Sequence, residues 1–171
     1  MLSGLLKPDE GSVMLDGSDL YALSDRELSL LRNRRIAFIP QKANLVPSLN
    51  MLENILLPAS LYNGPADAKR AGELMEALDI SSLQSARPFE LSGGETRRAA
   101  IARALLAKPG IILADEPTGD LDDEYTKAVL TLLAQAAADG AAVLMVTHDP
   151  LASAAAQNVL TMNAGRLTGE G

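Results

Sequence analysis

The chain has 171 residues, 47 % apolar and 22 % charged, the composition of one globular domain and not of a disordered segment. Fifteen Lys and Arg against 22 Asp and Glu leave a net charge of −7, which argues against a broad grip on nucleic acid, and no nucleic-acid partner is expected. The absence of cysteine and tryptophan rules out disulfides and thiolate metal sites and disfavours a base-stacking surface; no apolar run reaches the ~18 residues of a membrane span, and Met1–Gly4 lacks the basic start of a signal peptide.

In chain order, Ser12–Leu15 reads as a short strand closed by the turn pair Asp16-Gly17. Ser24 and Glu27 form a capping box that opens a helix to about Arg34, and Ile36–Ile39 follows as a strand stopped by Pro40. Residues 42–90 read as mostly helical. Asn50 and Glu53 cap a helix through Leu61, kinked or shortened by Pro58, and Pro65 suits the first turn of a helix through Leu78, with Ala71, Leu74, Met75 and Leu78 on one face.

From residue 91 the alternation of helix and strand resumes: a helix over about Gly94–Ala107, the turn Pro109-Gly110, and the strand Ile111–Ala114. A helix over Asp123–Ala138 ends at Gly140, a natural left-handed cap. Ala142–Val146 and Val159–Met162 complete the set as buried-type strands, the second before a turn at Asn163–Gly165. Strands apolar on both faces and separated by helices predict an α/β fold, a parallel sheet covered by helices. The helical block interrupts one domain, dividing 1–171 into 1–41, 42–90 and 91–171.

Four segments carry chemistry. Leu91-Ser92-Gly93-Gly94-Glu95 runs straight into a helix, so the glycine amides and the helix N-terminus can receive an anion, with the Ser92 hydroxyl as a further donor; a Ser cap with glycines in a tight turn is the structural alternative. Asp115 and Glu116 end an apolar strand where open parallel sheets bind ligands, one suited to Mg²⁺ and one to accepting a proton from attacking water; the alternative is an acidic turn capping the next helix. His148, the only histidine, follows the strand Ala142–Val146 at the same end, against a purely structural or surface histidine. Gln41 follows the strand Ile36–Ile39 and opens the helical block, where a hinge residue could sense Mg²⁺ or water.

In this order and spacing the segments resemble the ATPase subunit of ABC (ATP-binding cassette) transporters over essentially the whole chain. Leu91–Glu95 is similar to the family's signature, Ile111–Glu116 to its Walker B strand with the catalytic glutamate, Gly119–Asp122 to its D-loop, His148 to its switch histidine, Gln41 to its Q-loop and 42–90 to its helical subdomain. Pro117–Asp122 and Asn44–Pro47 look most like the lipoprotein-release and macrolide-export branch. The resemblance implies a P-loop NTPase-like fold and two subunits closing head to tail on two ATP molecules. Glu116 would polarise water, Asp115 and Gln41 would attend Mg²⁺, and His148 would contact the γ-phosphate. Ser92, Gly93, Gly94 and Glu95 would serve the nucleotide of the partner subunit, and Asp122 would communicate across the dimer. A membrane permease would dock beside Gln41, placing the subunit on the cytoplasmic face of the cell membrane.

The family's phosphate loop, Gly-x-x-x-x-Gly-Lys-Ser/Thr, has no counterpart here: none of the 13 glycines precedes a lysine. Met1–Gly11 resembles the stretch that follows that loop, so the resemblance implies a chain cut short at its front, without the strand expected beside the Walker B strand and without the aromatic residue that stacks on adenine. The expectations are exposed apolar surface and unpaired edges, and no ATP hydrolysis by these 171 residues alone. A regulatory fragment that docks on an intact ATPase and a soluble cassette ATPase without a permease are the two competing readings.

Overall fold

The computed structural model describes residues 2–61 and 67–169. Strands β1 (Met14–Leu15) and β2 (Ser18–Asp19) form a small antiparallel hairpin across Asp16 and Gly17, both at positive φ (50° and 80°) as a two-residue turn demands. Helix α1 (Asp25–Arg35) opens with the expected box: the Ser24 amide donates to Glu27 Oε2 (2.9 Å) and the Glu27 amide to Ser24 Oγ (3.4 Å). It leads directly into β3 (Ile36–Ile39).

Helix α2 (Met51–Leu61) starts with a reciprocal Asn50–Glu53 cap, both bonds 2.8 Å, and it continues past Pro58 to Leu61. Inside it, buried Asn54 accepts from the Val46 amide (2.7 Å) and donates to the carbonyls of Val46, Leu49 and Asn50, so one side chain organises the turn that follows Gln41. Helix α3 (Ala68–Ala77) begins at an Asp67 cap and buries Ala71, Leu74 and Met75 as its periodicity predicted, with Leu78 just beyond it also buried; the Pro65 start lies outside the described residues.

Helix α4 (Gly93–Leu106) leads to β4 (Ile111–Asp115), α5 (Asp123–Ala138), β5 (Ala142–Val146) and the short α6 (Pro150–Ala154). Gly140 has φ 101° and ends α5 as expected. A last hairpin joins β6 (Leu160–Asn163) to β7 (Arg166–Gly169).

The parallel sheet has the order β3-β4-β5, with Phe38 beside Leu113 and Leu113 beside Leu144. Ile39, Ile112 and Ala114 of the sheet, Ile55, Leu74 and Leu78 of the helical block, and Ile101 and Val129 of α4 and α5 belong to one buried cluster. Arg98 of α4 stacks over the Tyr125 ring of α5, 3.5 Å from its centroid, and Tyr125 donates to Asp79 (2.9 Å), tying α5 to the segment after α3.

Three expectations need correction. β5 is half-buried on one face and exposed on the other: Leu144 and Val146 are 44 % and 60 % exposed, and Phe38 of β3 is 48 % exposed on the same side of the sheet. The run Val159–Met162 becomes the wholly exposed β6, which pairs antiparallel with β7 and not with the parallel sheet. Its turn explains this, because Ala164 and Gly165 both take positive φ (47° and 78°) and return the chain on itself. β4 is hydrogen-bonded on both sides, so no further strand fits beside the Asp115 strand; the open edges belong to β3 and β5. Apolar content reports that a strand can be buried, and cannot report what lies against it.

Candidate active site at the strand ends

Parallel register sets the site. Ile39 lies beside Ala114 and Asp115 beside Val146, so Pro40-Gln41, Asp115-Glu116 and Thr147-His148 all leave the sheet at its C-terminal end. The Glu116 amide continues the ladder by donating to the Val146 carbonyl (2.8 Å), and Glu116 then turns into the left-handed region at φ 47°. A non-glycine residue pays roughly 1–2 kcal/mol there, a cost tolerated where a side chain must be aimed.

The Glu116 side chain, 16 % exposed, points at the end of β5. Its Oε1 meets His148 Nδ1 at 2.8 Å, and its Oε2 accepts from Thr147 Oγ1 at 3.2 Å. A carboxylate only accepts, so Nδ1 carries the hydrogen. The Glu116 hydrogen bond, followed by its charge, raises His148 above the ordinary histidine value; the imidazole itself is 89 % exposed. Thr147 Oγ1 in turn accepts from the Asp149 amide (3.0 Å), and buried Thr118 donates to Asp149 Oδ2 (2.8 Å). That Thr118 bond is the main reason that Asp149 lies below the usual aspartate value. Thr118, Thr147 and Asp149 carried no signal in the sequence beyond standing next to singled-out residues.

The Ser92–Glu95 turn is a helix cap. The Ser92 amide donates to Glu95 Oε2 (2.7 Å), the main reason that the Glu95 carboxyl lies below its ordinary value, and the Glu95 amide donates to Ser92 Oγ (3.3 Å). Gly93 and Gly94 are the first two helical residues, not a loop before the helix, so neither needs a positive φ. Space around Gly93 is open, whereas a Cβ on Gly94 would meet Leu121 and the Asp120 carbonyl at 3.7 and 3.8 Å. Asp122 caps α5 by accepting from the amides of Glu124 (3.1 Å) and Tyr125 (3.0 Å).

Among the described residues, no hydrogen bond joins Ser92–Glu95 to Glu116 or His148, and none joins exposed Gln41 to Asp115. The fold brings Glu116, His148, Thr147 and Asp149 together; Gln41 and Asp115 share the sheet end, and the α4 cap stands apart. Among the described residues no group of three or more His, Asp or Glu gathers to hold a metal alone, and no helix is long and apolar enough to cross a membrane.

A parallel sheet with paired acids after its central strand and a histidine after the next defines a P-loop NTPase-like α/β domain. The family model for ABC transporters matches residues 1–119. The lipoprotein-releasing system ATP-binding protein LolD of Aquifex aeolicus is 41 % identical over 170 residues, 98 % of this chain and 76 % of the relative. The ABC transporter ATP-binding protein YvcR of Bacillus subtilis is 39 % identical over 99 % of this chain and 67 % of its own length. The dimeric post-hydrolysis structure of the cassette MJ0796 bound to ADP and Pi superposes with a TM-score of 0.89 at 36 % identity, covering 98 % of this chain and 76 % of that one. The chain belongs to the ABC transporter family, as one of its ATPase subunits, most like the lipoprotein-release branch.

Proposed function

We propose that the chain binds ATP in a head-to-tail dimer and that hydrolysis there drives a membrane permease, with the subunit held at the cytoplasmic face of the membrane through that permease. The Glu116–His148 contact carries the reading, because it sets a carboxylate and an imidazole at adjoining strand ends where an attacking water and a γ-phosphate would lie. Glu116 accepts the proton of water, and His148, steadied through Nδ1, presents Nε2 to the phosphate. Asp115 and Gln41 are hard oxygen donors that suit Mg²⁺, which would supply charge neutralisation to the phosphates. An ion held there would draw its other ligands from phosphate and water oxygens, the habit of Mg²⁺.

The open N-terminus of α4 offers the amides of Gly93 and Gly94, with Ser92, to the nucleotide of a partner subunit, and Glu95 holds Ser92 in place through its amide. Asp122 fixes the start of α5 beside the dimer face. The relatives named as lipoprotein-releasing ATP-binding proteins and the dimeric cassette support these assignments.

Since the 171 residues contain no Gly-Lys pair to cradle phosphates, this polypeptide by itself turns over no ATP, yet it lends its α4 cap to an intact partner. The test measures Mg²⁺-dependent ATP turnover by the chain alone, by the intact Aquifex aeolicus relative alone, and by their mixture. The mixture is expected to exceed the sum of its parts, and Gly94→Asp in this chain to abolish the gain. Robust turnover by the 171 residues alone, or a mixture no faster than the relative, would sink the proposal.

A further inference from the structure

Arg97 lies on the first turns of α4 and is only 4 % exposed. Its Nη1 donates to the Pro40 carbonyl at 2.6 Å, directly before Gln41. On its other side Gly119 makes room: a Cβ built there would lie 3.6 Å from Arg97 Nη2, 3.3 Å from the Glu116 carbonyl and 3.8 Å from Glu116 Cβ. The guanidinium thus fills the space between the start of the Gln41 turn and the loop after β4. Burial pulls Arg97 below the ordinary arginine value, while Asp120, Asp115 and Glu116, in that order, oppose the shift. Arginine keeps its charge regardless, and a buried cation persists only in such company.

We propose that Arg97 is a positioning residue for the hydrolysis described above, a single guanidinium that holds the Pro40–Gln41 turn against the Asp115–Asp120 segment. The inference rests on the reading that Gln41 and Asp115 act on one ion. It adds a cause for their alignment, which neither residue supplies: no hydrogen bond joins the two directly among the described residues. Arg97 stands two residues after Glu95 on α4, so one side chain links that helix to the Pro40 carbonyl and packs against Gly119. While the Pro40 bond holds, a swing of α4 relative to the sheet would carry the Gln41 turn with the α4 cap. Lysine can keep the charge but cannot reach Pro40 and the Gly119 side at once, because it lacks the planar fork.

Amide hydrogen exchange on the full chain and on Arg97→Met and Arg97→Lys tests this, with far-UV circular dichroism to check folding. Met preserves most of the buried volume, so a packing role would leave exchange unchanged. The expected result in R97M is exchange about tenfold faster at Gly119 and Leu121, whose amides donate to the Glu116 and Thr118 carbonyls, and a moved ¹⁵N resonance at Gln41, whose amide shares the Pro40 peptide bond, with the interiors of α3 and α5 unaffected. R97K should restore native behaviour at only one of the two places; if R97M does not fold, R97K against the native chain decides the matter. Unchanged exchange, or an equal rise in every element, would overturn the proposal. The turnover measurement above tests the reading that this tether would serve, and the exchange data judge the tether by themselves.

Discussion

The Ser92–Glu95 turn and the Glu116–His148 pair are both proposed to serve a nucleotide, the turn that of a partner subunit, yet they are built in opposite ways. The turn closes on itself through bonds between residues three apart, which any chain of this local sequence could form on entering a helix. The pair joins residues 32 apart and exists only because β4 and β5 lie side by side in one register. The first is insensitive to the sheet and the second is a property of it. A device formed locally can be presented to another subunit as a finished part, whereas a centre formed by register stays tied to the integrity of the core.

The sharpest way to break this comparison is to damage the sheet. Ile112 is fully buried in β4 and paired with Ala37 and Val143, so Ile112→Ala should cost about 2–5 kcal/mol by thermal unfolding. The same variant should return His148 toward ordinary histidine titration while the α4 cap keeps its amide protection. Loss of both together would show that the two regions are not independent.

A smaller effect is expected in the other direction. Ser92→Ala removes the hydroxyl cap and should cost about 1 kcal/mol, read as a drop in unfolding midpoint. Glu95 should remain below its ordinary value in part, because the Ser92 amide, the larger cause, persists. His148 titration should not move at all.

The subtlest test reads the only histidine by NMR. His148 should titrate above about 6.5 in the native chain, and Glu116→Gln should bring it back toward that value. Since folding raises this pKa, the stabilisation is fully present below the unfolded value and fades as pH rises through the folded one. The stability gap between native chain and E116Q should therefore narrow across that window toward alkaline pH; a gap constant from pH 5 to 9 would show that the imidazolium contributes nothing.

Legibility in the sequence followed the range of each interaction. The Ser24–Glu27 and Asn50–Glu53 caps, the α5 and β5 boundaries and the left-handed Gly140 were readable because they depend on neighbours within a turn or two. Buried Asn54, Arg97 and Thr118 and half-buried Asp149 were not, since such a polar side chain shows its purpose only when its partners arrive from elsewhere in the chain. The exposed faces of β5 and β6 were misjudged for the same reason.

The sequence by itself determined the segments and their chemistry: acids after one apolar strand, a histidine after another, a serine and two glycines opening a helix. Short-range propensity and side-chain type are enough for that. Only the tertiary structure decided that β4 takes a strand on each side, that Glu116 is turned through its left-handed backbone onto His148, and that Arg97 stands between the Pro40 carbonyl and Gly119. Those outcomes depend on register and packing between distant residues, which no local pattern encodes.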